Sequence, residues 1–206
     1  MAGIQITAVD GKKALHEFVE FPFTLLRHEP NWVPPLRIAA KELLDRGKHP
    51  FYSEADAEFF LARRDGKVVG RVAAILNRAH NRFHEENAGF FGFFDCENDP
   101  ETARALLAQA RSWLAARGAT VFRGPVNPST NYECGLLVEG FDSDPMVMMP
   151  WNPPYYAVLL EQAGLVKAKD LLAYLSNANT ISMDKIGRVA DKALSTNGVR
   201  VRPINM

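Results

Sequence analysis

Polar side chains that could bind a substrate or move a proton are concentrated between residues 124 and 154. Glu133 supplies a carboxylate that could accept a proton, and Tyr155 and Tyr156 supply phenols that could donate one. Beside them are amide and hydroxyl groups that could orient a substrate, those of Asn127, Ser129, Asn131 and Asn152. This set of groups favours general acid–base chemistry on a small polar substrate.

Each of these residues also has a structural interpretation. Asn and Ser side chains of a loop often bond their own backbone. Asn152 could cap a helix that begins at Pro153 and Pro154, with the two tyrosines anchoring that helix. If both tyrosines are helical, only one can face a cleft, because consecutive helical positions point about 100° apart. The sequence leaves the two interpretations open.

Other reactive side chains indicate less. His80 and His84 have a spacing that can bind metal in a helix, yet no third ligand or His-Glu-x-x-His motif accompanies them. We therefore predict no metal site and a solvated helix or loop there. Cys96 and Cys134 form no Cys-x-x-Cys pair and have no identifiable neighbouring base. We expect both to be buried structural thiols.

The overall composition excludes several classes of function. The 206 residues contain 24 Lys and Arg against 24 Asp and Glu, so the formal net charge is zero. A protein attracted to nucleic acid or a membrane surface needs a basic excess or stripe, so we expect neither partner. The N-terminus does not resemble a secretory leader, and no run reaches the ~20 apolar residues of a membrane span. We expect a soluble cytoplasmic protein.

The chain predicts an α/β domain that positions the polar loop. Asp65-Gly66 lies between two β-forming runs and predicts a hairpin with a two-residue turn. A strand over 89–94 has aromatics on both faces, and the glycines at 89 and 92 indicate a close backbone approach. The remaining predicted elements are strands at 4–9, 120–123 and 171–174 and helices from 12 to 23, 36 to 44, 100 to 117 and 154 to 163.

The character of the chain changes near residue 180. Ile181, Ile186, Val189, Ala190 and Ala193 suit a short exposed helix, and a new strand begins after Gly198. We expect residues 1–178 to form one domain and residues 179–206 to be a linker helix and the start of a second domain. On this interpretation the chain is the front part of a longer polypeptide.

The order of elements is similar to that of the GNAT acyltransferases. Residues 64–74 resemble the β2–β3 hairpin of that superfamily, and residues 155–165 resemble its last helix. Within the superfamily the chain most resembles a largely uncharacterised bacterial group whose members are commonly twice as long as one GNAT domain. The blocks that carry this resemblance are Asn31-Trp-Val-Pro-Pro-Leu, Gly89-Phe-Phe-Gly-Phe-Phe, Gly124-Pro-Val-Asn-Pro-Ser and Asn152-Pro-Pro-Tyr-Tyr.

The resemblance implies a GNAT-like mixed central sheet flanked by helices and an acyl-CoA-dependent N-acyltransferase. In such enzymes the fourth strand splays from the fifth, and the pantetheine arm of acetyl-CoA or another acyl-CoA lies in the gap. Here that places the arm along Phe91, Gly92, Phe93 and Phe94. Glu133 would be the general base and Tyr156 the general acid. The partners implied are a small-molecule amine and a second GNAT-like half.

The sequence departs from the family pattern in two places. The stretch from Asp95 to Glu101, where the family holds the pyrophosphate, is acidic and lacks glycine, and Pro100 removes one amide. Leu160 stands where the family usually has its tyrosine acid. The alternative is a non-catalytic GNAT-like module that has lost CoA binding and binds a small ligand or partner. A third possibility, an aminoacyl-tRNA donor, lacks a basic stripe.

Overall fold

Five strands form a mixed sheet in the order β1-β2-β3-β4-β5. The computed structural model describes residues 3–175, 183–196, 200 and 202–203. The strands are β1 Gln5–Ala8, β2 Ala55–Arg64, β3 Lys67–Asn77, β4 Ala88–Cys96 and β5 Val121–Arg123. Neighbours are antiparallel except β4 and β5, which are parallel. A separate two-stranded ribbon pairs β6 Val126–Asn127 with β7 Glu133–Cys134.

Helices cover both faces of the sheet. Phe91 and Phe94 of β4 pack with the helices at residues 100–115 and 155–162 on one face, while Phe90 and Phe93 pack with the helix at residues 11–25 on the other. Consecutive strand residues point to opposite faces, as Phe90 and Phe91 do and as Phe93 and Phe94 do, so this aromatic run serves two cores at once. The helices are α1 Gly11–Leu25, α2 Arg37–Leu43, α3 Arg78–His84, α4 Pro100–Ala115, α5 Tyr155–Gln162 and α6 Met183–Leu194. A 3₁₀ turn spans Pro50–Ser53.

Most of the predicted elements are confirmed. Asp65 and Gly66 have φ values of 51° and 77°, the left-handed pair that a tight hairpin turn needs. α4 begins at Pro100, as the sequence predicts, and Asp99 is its N-cap. The five strands and the helices on both faces form the α/β, GNAT-like mixed sheet that was expected.

Two predictions of local structure are wrong. Residues 171–174 form no strand: Leu171 is 62% exposed and Tyr174 is 85% exposed, so their apolar side chains are not buried by a sheet. Asn152 does not cap α5, because that helix begins at Tyr155 with Pro154 at the N-cap. The side chain of Asn152 bonds the backbone of residue 137 instead.

The chain divides into one unit of residues 1–169 and a second of residues 170–206. In the second unit α6 agrees with the predicted exposed helix, and its apolar side chains Met183, Ile186, Val189 and Leu194 are exposed. Ile181 and most of the strand predicted after Gly198 lie outside the described residues. No helix in the described ranges has both the length and the apolar character that crossing a membrane requires.

Candidate active site

The parallel pairing of β4 with β5 is short. It joins Ala88 to Val121 and Phe90 to Arg123, and then it stops. After Arg123 the chain leaves the sheet and enters the β6–β7 ribbon, while β4 continues to Cys96. β4 therefore has no pairing with β5 over its second half.

A bulge shapes that second half of β4. The register with β3 shifts between Arg71 opposite Asp95 and Ala73 opposite Gly92, which leaves one extra residue in β4. Phe93 takes up the bulge with a φ of 48°. Its N–H donates to Oδ1 of Asn127 at 2.6 Å. The edge of β4 is thus released from β5 but is met at this point by a side chain of β6.

A cleft of about 120 Å³ opens beside this bulge. It brings together most of the residues that the sequence predicted for the site, with others that the sequence did not indicate. Its polar lining includes Arg71, Asp95, Asn127, Glu133, Asn152 and Tyr156. Its apolar lining includes Trp32, Val33, Phe93, Phe94, Met149 and Trp151.

Glu133 lies at the start of β7 and lines the cleft. The whole residue is solvent-exposed, yet protein atoms around the carboxylate partly desolvate it and raise its pKa above the ordinary value. A long hydrogen bond from Nδ2 of Asn127, 3.5 Å from Oε2, acts in the opposite direction, and the charge of Asp95 adds to the rise. A carboxyl with a raised pKa is closer to the working pH of a general base.

Tyr156 lies at the inner wall of the cleft and is 2% exposed. Its hydroxyl accepts from Cys96 N and donates to Oδ1 of Asp95, each at 3.1 Å. Burial raises the pKa of Tyr156 well above its ordinary value, and the charge of Asp95 adds to the rise. The phenol therefore stays protonated across the working pH range, with its proton directed at Asp95 in this arrangement.

Asp95 and Arg71 form a partly buried ion pair next to Tyr156. Nε of Arg71 donates to Oδ2 of Asp95 at 2.7 Å, and the two side chains are 12% and 13% exposed. Nη1 of Arg71 donates to the carbonyl of Phe18 at 2.7 Å. Both oxygens of Asp95 thus have partners, and the pair fixes the place of the Tyr156 hydroxyl. The sequence analysis missed Arg71 and Asp95, because their pairing depends on the register of β3 against β4.

The other predicted substrate-binding residues lie in different surroundings. Tyr155 does not line the cleft, and its hydroxyl donates to the carbonyl of Cys96 at 2.9 Å. Asn152 does line the cleft, but it is 6% exposed and its side chain bonds the backbone of Leu137. Oγ of Ser129 accepts from the backbone N–H of Asn131 at 3.2 Å, the turn-forming arrangement of the structural interpretation. Ser129 and Asn131 are not in the cleft lining.

The start of α4 is where the resemblance places a pyrophosphate. There Asp99 already accepts from the backbone N–H groups of Glu101 and Thr102, and it pairs with Arg64 at 2.6 Å. A carboxylate fills the anion site that free helix amides would otherwise offer. These residues do not fit a pyrophosphate at the start of α4. The four predicted pantetheine residues, 91–94, do lie on the part of β4 that β5 leaves unpaired.

The histidines and cysteines behave as structural groups. Nε2 of His80 lies 2.7 Å from Oε1 of Glu86, and the His80 and His84 rings have centroids 4.3 Å apart. Within the described ranges no group of three or more potential ligands is placed to hold a metal ion. Burial raises the pKa of both thiols, Cys96 fully buried and Cys134 partly buried, so neither is an activated nucleophile.

Comparison with known proteins supplies two curated relatives. The chain is 39% identical to "Protein YghO" of Escherichia coli (strain K12) over 163 residues, 79% of this chain and 42% of that protein. It is 35% identical to the "Bacterial ceramide synthase" of Caulobacter vibrioides over 206 residues, 100% of this chain and 53% of that protein. The chain thus spans about half the length of the curated relatives it matches. No family model matches it.

Among solved structures, one match has a TM-score of 0.52 at 15% identity and covers 78% of this chain and 43% of the other. It is a tandem GNAT protein from the clavulanic acid biosynthesis pathway, solved without AcCoA. At this level of identity the match concerns the fold. It agrees with the mixed sheet and flanking helices described above.

Proposed function

The chain has the GNAT fold, and from that premise we propose that it is half of an N-acyltransferase that moves an acyl group from acyl-CoA to an amine. The observation that carries the proposal is the end of the β4–β5 pairing after Phe90, next to a cleft that holds Glu133. A released strand edge can bind a long thin ligand by backbone hydrogen bonds, and the cleft can hold the nucleophile near its end.

Glu133 is the general base of the proposed reaction. A protonated amine cannot attack, so its nitrogen must lose a proton before or during bond formation. The raised pKa of Glu133 matches this task better than that of an ordinary carboxylate. The nitrogen then attacks the thioester carbonyl, the C–S bond breaks with its electron pair on sulfur, and the amide forms.

Tyr156 is the proposed acid that protonates the leaving thiolate. Its raised pKa makes it a weaker acid than an ordinary phenol but keeps it protonated, so it holds a proton at the working pH. To deliver it, the hydroxyl must turn from Asp95 towards the sulfur, a rotation that leaves the hydrogen bond from Cys96 N in place. Asn127 orients the base, because its amide bridges the N–H of Phe93 and the carboxylate of Glu133.

The name of one relative supports amide formation. That relative, 35% identical over the whole of this chain, is called a ceramide synthase, and a ceramide is the amide of a fatty acid with an amino alcohol. Because the curated relatives are about twice as long, we propose a second GNAT-like half as the partner that completes the enzyme. Residues 1–178 would be the first domain, and residues 179–206 would lead into that second half. We propose the cytoplasm, where acyl-CoA is available, as the compartment.

The closed start of α4 favours a second candidate function. With Asp99 on its amides, the pyrophosphate of CoA has no site there, and this half could be a non-catalytic module that binds an amine or its partner half. In the enzyme the pyrophosphate would instead be held by groups outside this cleft. The two functions differ in whether the full polypeptide binds acyl-CoA and releases its thiol.

The test uses the full polypeptide that contains this chain. Calorimetric titration with acetyl-CoA and with longer acyl-CoA measures donor binding, and release of free thiol in the presence of amines measures transfer. We expect micromolar binding of acyl-CoA and amine-dependent thiol release. Glu133→Gln should slow that release by about 10²-fold or more while binding persists. Absence of heat at millimolar acyl-CoA would leave the binding module as the function.

A further inference from the structure

The cleft that holds Glu133 has a second, apolar side. It is formed by the segment before α2 and the segment before α5, which a hydrogen bond from Nδ2 of Asn31 to Oδ1 of Asp144 joins at 3.0 Å. The side chains that these segments place in the cleft lining include Trp32, Val33, Met149 and Trp151. The polar and apolar sides therefore face one ligand space.

Apolar surface continues outside the cleft along the same two segments. Val33 is 55% exposed, Leu36 is 74% exposed and Val147 is 93% exposed. We call the exposed set Val33, Leu36, Met146, Val147 and Met148 the apolar rim. Single exposed apolar residues are ordinary, but a set that borders a ligand cleft is typical of a binding surface.

The charges of the cleft favour an amine over an acid. Arg71 is the cation of the lining, and its guanidinium is engaged by Asp95 and by the carbonyl of Phe18, both at 2.7 Å. Glu133 has only the long hydrogen bond from Asn127 at 3.5 Å among its described hydrogen bonds. The charge of Arg71 lowers the pKa of Glu133, but its guanidinium is bonded to Asp95. The charged side chains of the lining, Arg71, Asp95 and Glu133, thus carry one net negative charge, which an ammonium group complements.

The size of the cleft requires the rest of such a ligand to lie outside. A volume of about 120 Å³ equals about four water molecules at roughly 30 Å³ each. An amine head group with a few carbons fills it. A longer body must extend beyond the cleft, and the apolar rim lies on the same two segments that place Val33 and Met149 in the lining.

We propose that the acceptor is a primary amine at the end of a long unbranched apolar chain. The nitrogen lies at Glu133, the first carbons cross the apolar side of the cleft, and the remainder of the chain lies on the apolar rim. This proposal rests on the proposed function, since it takes the ligand of Glu133 to be the acceptor. In the competing assignment the apolar side of the cleft binds the fatty chain of the acyl donor. Such a chain has no positive charge to complement Glu133.

The test measures binding of n-alkylamines without turnover. Butylamine, hexylamine and octylamine, each below its micelle concentration, are titrated into the full polypeptide, and tryptophan fluorescence reports binding because Trp32 and Trp151 line the cleft. We expect affinity to rise about two- to fourfold per added methylene, the range for partly to fully buried CH₂ groups. Octanol and octanoate should bind at least about tenfold more weakly than octylamine, since neither complements Glu133.

A matched pair of variants tests the apolar rim. Val33→Ser should remove most of the dependence of affinity on amine chain length, whereas Val158→Ser should not. Val158 on α5 is a matched control because it is 51% exposed, a fraction similar to the 55% of Val33. Neither change enters the hydrophobic core, so both variants should fold. Equal effects of the two substitutions, or equal affinity for butylamine and octylamine, would overturn the proposal.

Thiol release from acyl-CoA separates this proposal from the proposed function. Chain-length-dependent amine binding with no thiol release would support the ligand class while the acyltransfer function fails. Turnover that depends on the length of the acyl chain but not on the length of the amine would support acyltransfer. It would also mean that the apolar side of the cleft binds the acyl donor, which would overturn the present proposal.

Discussion

The backbone of Gly92 lies directly against the carbonyl of Val126. A Cβ on residue 92 would stand 1.6 Å from that carbonyl oxygen, far inside van der Waals contact. The contact joins β4 to the β6–β7 ribbon at the point where β5 has already left the sheet. Because residue 92 has no side chain, the ribbon can approach β4 closely enough to place Asn127 and Glu133 next to the bulge.

Gly92→Ala should destabilise the chain strongly. The obstructing atoms belong to backbone and cannot turn away, so the ribbon must move or the bulge must open. We expect a loss of about 3 kcal/mol or more in the free energy of unfolding, at the upper end for overpacking. Urea denaturation measures it, with Gly47→Ala as control, because the nearest atom to a Cβ there is an Asp45 side-chain oxygen at 3.4 Å. Equal stability of the two variants would contradict this packing.

Asp99 should make the stability of the chain pH-dependent. Burial would raise its pKa, but hydrogen bonds from Thr102 and Arg64 outweigh burial and lower the pKa to about 2. A carboxyl with a depressed folded pKa stabilises the fold above its unfolded value of about 3.9, and that contribution is lost as pH falls towards about 2.

Asp99→Ala should therefore cost about 1–3 kcal/mol at pH 7, the sum of a lost N-cap and a lost ion pair. The cost should narrow by up to about 1 kcal/mol at pH 3, where part of the stabilisation by Asp99 is already lost. Asp99→Asn keeps a side-chain acceptor at the N-cap but removes the charge. Its free energy of unfolding should lie between those of the unchanged protein and Asp99→Ala. A cost that is the same at both pH values would show that the carboxylate charge contributes nothing.

The sequence predicted the fold better than the site. The hairpin turn at Asp65-Gly66, the start of α4 at residue 100 and the two-sided aromatic strand each depend on neighbouring residues, and the structure confirms all three. The strand expected at 171–174 failed because β-propensity cannot show whether a partner strand is present. The β6–β7 ribbon was missed because strands of two residues leave no periodic pattern.

Among the residues that line the cleft, Glu133 and Tyr156 were named from their chemistry and position along the chain, whereas Arg71 and Asp95 were not. Arg71 lies on a strand whose sequence indicates only a β-hairpin. Asp95 lies in an acidic stretch whose charge indicates only that a pyrophosphate would be repelled there. Their pairing at 2.7 Å depends on the β3–β4 register and its bulge, neither of which a local pattern can show. The apolar rim was missed for the same reason, because it is formed by two segments that lie far apart in the sequence.

The pH profile of acyl transfer should follow Glu133. A base must be ionised, so kcat/KM should rise with pH through the raised pKa of Glu133 and reach a plateau above it. Asn127→Ala removes a hydrogen bond that lowers this pKa and should move the acid limb to higher pH. Asp95→Asn removes a charge that raises it and should move the limb to lower pH.

Glu133→Gln should reduce kcat by about 10²- to 10⁴-fold, the usual worth of a general base. Glu139→Gln is the matched control, since Glu139 is an exposed carboxylate of the same loop region outside the cleft lining. If the acid limb stays in place in Asn127→Ala and Asp95→Asn, the titrating base is a different group.

Tyr156→Phe separates an acid from a positioning residue. The change leaves Oδ1 of Asp95 and the N–H of Cys96 without their partner and should cost about 1–3 kcal/mol of stability in either role. If the phenol protonates the leaving thiolate, kcat with acyl-CoA should fall about 10²-fold or more. The loss should then shrink with a nitrothiophenyl thioester, whose thiolate leaves without needing a proton.

Tyr155→Phe is the control for that substitution, because its hydroxyl donates to the carbonyl of Cys96 and lies outside the cleft lining. We expect Tyr155→Phe to keep near-normal turnover with both donors. A Tyr156→Phe variant that loses equal activity with both donors would remove the acid role. The phenol would then act through Asp95 and Arg71, whose partly buried pair it helps to hold beside the released edge of β4.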